Sequence, residues 1–269
     1  MTGIITGAET GVEQGWSSGR DRQLWRFLAR RLPGRRTPLN GSGLVATITF
    51  DDVPDNAVTH GAPVLERRGV RGTFYVAAAT CGMQDRHWRV ADRAQVRALS
   101  RAGHEIGCHT ARHVNVQSLD AEGLTRECDR NRELLAEIDG IVPRNFCYPF
   151  GDVGLRQRSV LAERFTTCRT IYERPNAGRI DRAMLSAYGL FDAVIDRAGL
   201  DRLVREAKGW NGGSGGWLVF YTHDVSDDPT PIGTSPRLLD EALAVLAGHG
   251  VPVLTTDEAA RHHGIPAEG

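Results

Sequence analysis

From Leu44 onward the chain alternates short apolar runs with longer stretches in which apolar positions recur every three or four residues. The first kind reads as buried strands, the second as helices with one buried face. The pattern predicts strands at 45–50, 72–76, 105–108, 145–148, 166–169, 218–221 and 251–254. It predicts helices between them, over 57–69, 92–102, 121–138, 154–164, 194–208 and 235–248. The last helix carries its own boundaries: Ser235 as a cap, Pro236 in the first turn, and the glycines at 248 and 250 as a stop. Strand alternating with helix implies a parallel sheet covered by helices. The strand count suits a closed or nearly closed barrel as well as an open doubly wound sheet. In both, chemistry gathers beyond the C-terminal ends of the strands.

Residues 1–43 have a different texture, rich in Gly, Ser, Thr and Arg. One short helical pattern (Leu24, Trp25, Phe27, Leu28, Leu32) ends at Pro33-Gly34, and Thr37 to Gly43 reads as a linker. The expected organisation is therefore an extension over 1–43 and a main domain over 44–262. Hydrophobic residues make up 41% and charged residues 25%, as in an ordinary globular protein. Basic and acidic residues balance at 33 each, so no overall field favours nucleic acid. The basic excess is local, at Arg30, Arg31, Arg35 and Arg36, and reads as a solvated arm. Five cysteines without a CxxC pair suggest neither a disulfide framework nor a thiolate metal site, and free thiols fit a reducing compartment. The first residues lack the basic-then-apolar order of a secretory signal, and no stretch approaches the ~20 apolar residues of a membrane span. A cytoplasmic location is the expectation; the oligomeric state stays open.

The strand-end rule selects the candidate chemistry. Asp51 and Asp52 follow directly on the strand at 45–50. Adjacent carboxylates there repel and cost desolvation. One of them could cap the next helix; alternatively, one binds a cation while the other stays an ionised base. The strand at 105–108 runs into His109 and His113, two histidines four apart, a spacing that lets two imidazoles on one face of a helical turn converge on a metal. Asp52, His109 and His113 together offer one oxygen and two nitrogens, leaving coordination positions for water and substrate. The strand at 145–148 ends in Tyr148-Pro149-Phe150-Gly151, a rigid turn whose backbone N–H could meet an oxyanion, though a plain strand-to-helix turn looks the same. Tyr221 and His223 close the strand at 218–221, and beside a metal His223 suits a general acid. The other histidines, His262 and His263 included, read as loop, helix-end or tail residues, and Trp88 and Trp210 as packing or groove residues.

These pieces resemble the polysaccharide deacetylase family, the NodB-homology or carbohydrate esterase family 4 domain. Thr49-Phe50-Asp51-Asp52, His109-Thr110-Ala111-Arg112-His113 and Tyr221-Thr222-His223 carry the likeness, with 71–76 and 103–107 similar to the second and third strands. The resemblance implies a distorted (β/α)7 TIM-like barrel and a divalent metal, usually zinc though other divalent ions serve. It implies Asp51 as base, Asp52, His109 and His113 as metal ligands, His223 as acid and the Phe150 N–H as oxyanion donor. Tyr148, Pro149 and Tyr221 join Phe150 as oxyanion or substrate residues. The chain departs from the family pattern at several points. Val53 stands for a Gly, Cys147 for the Arg that pairs with the base, Phe150 for a Tyr and Tyr221 for a Leu. An Asp/Trp motif is not visible around 175–195. Arg144 is the candidate to replace the missing Arg. The implied function is hydrolysis of an N-acetyl group from an acetylated amino sugar, monomeric, nucleotide-linked or polymeric. A small-molecule amidohydrolase and a catalytically silent carbohydrate-binding module are the alternatives.

Overall fold

The computed structural model describes Phe27, Gly34 and residues 36–267; most of the predicted extension, including its helical pattern, lies outside the described residues. The strands are β1 (Arg36–Pro38), β2 (Val45–Asp51), β3 (Thr73–Val76), β4 (Glu105–Cys108), β5 (Asn145–Cys147), β6 (Thr167–Arg169), β7 (Arg179–Asp181), β8 (Tyr188–Gly189) and β9 (Trp217–Thr222). The helices are α1 (Ala62–Arg67), α2 (Arg93–Arg101), α3 (Ala121–Asp139), α4 (Leu155–Ala162), α5 (Arg197–Lys208), α6 (Pro236–Gly248) and α7 (Thr256–His262).

Seven strands form one sheet in the order β6-β5-β4-β3-β2-β9-β8, every neighbouring pair parallel. β2 lies inside this sheet with all seven residues buried, its polar members Thr47, Thr49 and Asp51 included. Its outer face meets α1 and α6: Ile48, Phe50 and Phe74 pack with Val64, Leu65, Leu239 and Leu243. A second cluster, built on Cys108, Leu124, Phe146, Leu161 and Phe165, underlies the β4–β6 half. The sheet curls until its edges approach. Leu185 bridges Arg169 of β6, and three residues later β8 pairs with β9. The result is the expected distorted seven-stranded barrel.

Two expectations need correction. The stretch 251–254 is no strand; it makes a single bridge, Val253 to Ala46. β2 is already flanked by β9 along its length and by β3 from Thr49, so only its lower end is open to another partner. The seventh strand of the sheet is instead β8, two residues long and too short to leave a periodic signal. The linker read over Thr37 to Gly43 contains part of a strand, β1, which pairs antiparallel with β7.

Helix ends follow local chemistry. The Asp92 side chain accepts from Gln95 N at 2.9 Å, and Gln95 returns the bond to Asp92 N. Asp120 caps α3, which stops at Gly140 in the left-handed conformation (φ 66°). Ser235 caps α6 with Pro236 in its first turn, as the sequence predicts. No helix among the described residues is long and apolar enough to cross a membrane.

Candidate active site

The C-terminal ends of β2, β4, β5, β6 and β9 face one mouth, and each delivers a polar group there. β2 ends at Asp51, and the chain then turns through left-handed backbone at Asp52 (φ 59°) and Val53 (φ 47°). A β-branched residue in that region is strained, which gives a physical reason for the glycine of the family pattern. After β4 the histidine pair does not lie on a helical turn, contrary to the spacing argument. Thr110 (φ 60°) and His113 (φ 53°) are left-handed, and the loop folds back so that the two imidazole centroids stand 4.8 Å apart. Glu127 of α3 holds the loop, accepting from the backbone N–H of Ala111 and Arg112 at 3.2 Å each and from the Arg112 guanidinium.

Asp52, His109 and His113 come together as predicted. Asp52 Oδ1 lies 3.0 Å from His113 Nε2 and 3.4 Å from His109 Nε2. His109 Nδ1 is 2.8 Å from the Cys147 carbonyl. A carbonyl only accepts, so Nδ1 carries the hydrogen and Nε2 of the neutral ring turns its lone pair toward the carboxylate. Asp52 Oδ1 is buried and receives no hydrogen bond. Neutral His109 thus turns a lone pair toward the Asp52 carboxylate with His113 Nε2 beside it, an arrangement that positive charge stabilises. The same need governs the protonation behaviour. Burial opposes charge on His109, yet Cys147 and the Asp52 carboxylate outweigh it and raise its pKa well above the ordinary value. Burial would likewise raise Asp52, but His113 and His109 hold it below the usual carboxylate range. The donor set fits a divalent cation with open positions.

Asp51 is 4% exposed and does not share this arrangement. Both its oxygens accept from Nη2 of Arg169, a fully buried residue at the end of β6. Arg169, with His109 and His223, outweighs the burial cost and keeps the Asp51 pKa below the usual carboxylate range. The guanidinium lies between two rings, 5.3 Å from the Tyr75 centroid and 5.0 Å from that of Tyr221. Cys147 Sγ sits 2.6 Å from Arg169 Nη2 and 3.6 Å from Asp51 Oδ2, filling the corner where the family pattern has its arginine. Arg144 does not replace that arginine: it precedes β5, at the opposite end of the barrel, and is exposed. Arg169 was legible in principle, since it closes a predicted strand and the strand-end rule points to it.

His223 follows β9, its Nδ1 3.2 Å from the Ile232 carbonyl, so Nε2 is the free nitrogen. Asp224 folds the intervening loop by accepting from Thr230 N at 3.0 Å and from Thr230 Oγ1 at 2.5 Å. Phe150 (φ 59°) is 44% exposed, and its ring lies 4.5 Å from that of His113. Tyr221 is half-buried beside Arg169 and Phe191. Tyr148 is the exception among the expected substrate residues. It is 1% exposed and its hydroxyl donates to the Ala183 carbonyl at 3.0 Å, so its side chain supports the core beneath the mouth. Pro149 is also buried and contributes only the shape of the turn.

Residues 40–167 match the family model for polysaccharide deacetylase. A chitin deacetylase of Pestalotiopsis sp. is 30% identical over 103 residues, 38% of this chain and 33% of that protein. The chain thus spans about a third of the length of the curated relatives it matches first, 33% and 28%. Among solved structures, a family 4 acetyl xylan esterase from Clostridium thermocellum, in complex with a cobalt ion, is similar with a TM-score of 0.56 and 21% identity. That likeness covers 82% of this chain and 93% of the other. The Xyl-CE4 domain of a multidomain xylanase from the hindgut metagenome of Trinervitermes trinervoides gives 0.56 and 16% over 84% and 94%. These structural likenesses speak to the barrel, while the family match spans the stretch that carries both carboxylates and the two histidines facing Asp52. Residues 40–167, with the mouth residues they carry, are thus similar to the polysaccharide deacetylase family, and the rest of the chain shares the barrel of the solved structures.

Proposed function

We propose that this protein hydrolyses the N-acetyl group of an acetylated amino sugar, releasing acetate, with residues 44–262 as the catalytic unit. The observation that carries the reading is the split fate of two adjacent carboxylates. Asp52 faces two imidazole nitrogens, and Asp51 is held ionised by a buried arginine.

Asp52, His109 and His113 would hold a divalent cation, with zinc the simplest choice for one oxygen and two nitrogen donors. When bound, such an ion supplies Lewis acidity, polarising an acetamide carbonyl and making a water more acidic. Asp51 takes the proton of the attacking water, its low pKa and fixed position both set by Arg169. The Phe150 N–H donates to the oxygen on which negative charge develops. His223, with Nδ1 engaged by Ile232, presents Nε2 to the departing amine and protonates it. The Phe150 and Tyr221 rings narrow the mouth and exclude water.

The chitin deacetylases among the relatives support an N-acetylated sugar as the substrate class. A cytoplasmic location is part of the same proposal, supported by five free thiols of which four are buried. Labelling that found these thiols oxidised in intact cells would remove it. The functional test is acetate release from a panel of N-acetylated monosaccharides, nucleotide sugars and chitin oligomers, with and without chelator. Release from at least one, abolished by chelation and restored by zinc, is the expected result. Chelator-insensitive release, or none from the metal-loaded protein, would overturn the reading.

A further inference from the structure

The hydrogen bond from His223 Nδ1 to Ile232 fixes which nitrogen is free but does not by itself fix the plane of the ring, which the Phe191 and Tyr221 rings meet only at 6.4 and 6.3 Å between centroids. A second element holds it. The Trp88 ring lies over the imidazole, centroids 5.8 Å apart and planes 29° from parallel. Trp88 stands on a tight turn between β3 and α2. There Val90 N donates to Met83 O at 2.9 Å and Asp85 N to Trp88 O at 2.9 Å. The turn is stitched to the stretch that follows the two carboxylates: Asp55 N donates to Arg89 O at 2.8 Å and Ala91 N to Val53 O at 2.9 Å. Through these bonds Trp88 ties the side chain at the end of β9 to the carboxylates at the end of β2, without touching either carboxylate.

The choice of residue carries the point further. Trp88 is 7% exposed and its Nε1–H is buried without an acceptor, so a ring lacking that donor would pack there at lower cost. A broad flat face against the imidazole is what remains to be gained.

We propose that Trp88 is a positioning residue for His223, fixing the plane of the imidazole relative to Asp51 and Asp52. The proposal rests on the functional reading above, in which His223 is the acid. In the metal-loaded full chain, Trp88→Ala lowers kcat by about 10- to 100-fold, as a displaced catalytic group does, with KM and metal content little changed. Trp88→Phe, which keeps a flat ring and discards the unsatisfied donor, restores kcat to within about threefold and melts no earlier than the parent. Trp88→Leu, which fills space without a flat face, replaces Trp88→Ala should that variant not fold. A second readout needs no turnover: long-range proton–nitrogen correlation of the His223 ring. The parent shows one neutral tautomer, hydrogen on Nδ1, with ring protons shifted upfield by the indole; Trp88→Ala and Trp88→Leu show mixed tautomers and lose the shift, and Trp88→Phe keeps both. An unchanged kcat in Trp88→Ala, a rise in KM alone, or equal losses in Trp88→Phe and Trp88→Ala overturns the proposal. Should the parent release no acetate, the functional reading fails, while the resonance arm still decides whether Trp88 fixes His223.

Discussion

The strands of the barrel carry polar residues at both ends, and the two ends treat them oppositely. At the floor, Glu105 accepts from Thr73 Oγ1 at 2.9 Å, Asp257 N at 2.9 Å and Asn145 Nδ2 at 2.6 Å. Asn145 Oδ1 in turn accepts from Thr167 N and Oγ1 at 3.1 and 2.7 Å, and Thr256 N donates to Thr73 Oγ1 at 2.9 Å. This network uses donors and acceptors in matched pairs. At the mouth, β2 is followed by Asp52 and β4 by the two imidazoles turned toward it, with a buried oxygen lacking a donor. Saturated polar networks rigidify a fold; unsaturated ones persist where something else must complete them. The difference separates polar residues that complete one another from polar residues left to be completed, a few residues apart on β4.

The sharpest way to break this comparison is Asp51→Asn. Turnover should fall by about three orders of magnitude or more, with metal content and melting near those of the parent. Acetate release persisting at a comparable rate would falsify the assignment of Asp51 as base. Next comes Arg169→Met. Removing one partner of a buried pair leaves Asp51 uncompensated, a loss on the order of 3–5 kcal/mol in chemical denaturation. Because Arg169 holds the Asp51 pKa down, its loss raises that pKa, and the acid limb of the pH–rate profile moves to higher pH. A limb that stays in place would mean Asp51 is not the group it reports.

At the floor the expectation reverses. Glu105→Gln should cost about 1–2 kcal/mol of stability with kcat within about twofold of the parent. Lost activity without lost stability would erase the distinction between the two ends. The smallest effect belongs to His263, buried against Trp217 at the start of β9. Burial first, and the neighbouring His262 second, push its pKa down to about 4. The unfolded chain therefore binds a proton near pH 6.5 that the folded chain refuses until about 4. Stability from this residue is present above that window and is lost as pH falls through it. His263→Phe should flatten the decline between pH 7 and 5 by about 2–4 °C in Tm. Parallel declines in both proteins would rule His263 out as a cause.

Much of both ends could be read in the sequence, for different reasons. Asp51, Asp52, His109 and His223 announce themselves because polar residues directly after apolar runs are costly and therefore conspicuous. Arg169 did not, because an arginine closing a predicted strand resembles an ordinary strand terminus. The turn geometry was hidden for another reason: left-handed backbone at Thr110 and His113 has no signature in residues that are not glycine. β8 and the single bridge at Val253 depend on which edges the curled sheet leaves open, a property of the whole barrel and of no local window. His263 looked like a tail residue because α7, only seven residues long, was missed.

Gly107 shows how far a silent position can reach. It pairs with Tyr75 across β3 and β4, and a methyl group there would stand 2.4 Å from the Tyr75 ring. That ring lies against the Arg169 guanidinium on one side and sends its hydroxyl to Thr256 at 3.4 Å on the other. One absent side chain thus gives the tyrosine room to act as a strut running the length of the barrel. Crowding at Gly107 would travel up that strut to the tether of Asp51, so a residue with no chemistry of its own acts as the seat on which the alignment of that carboxylate rests.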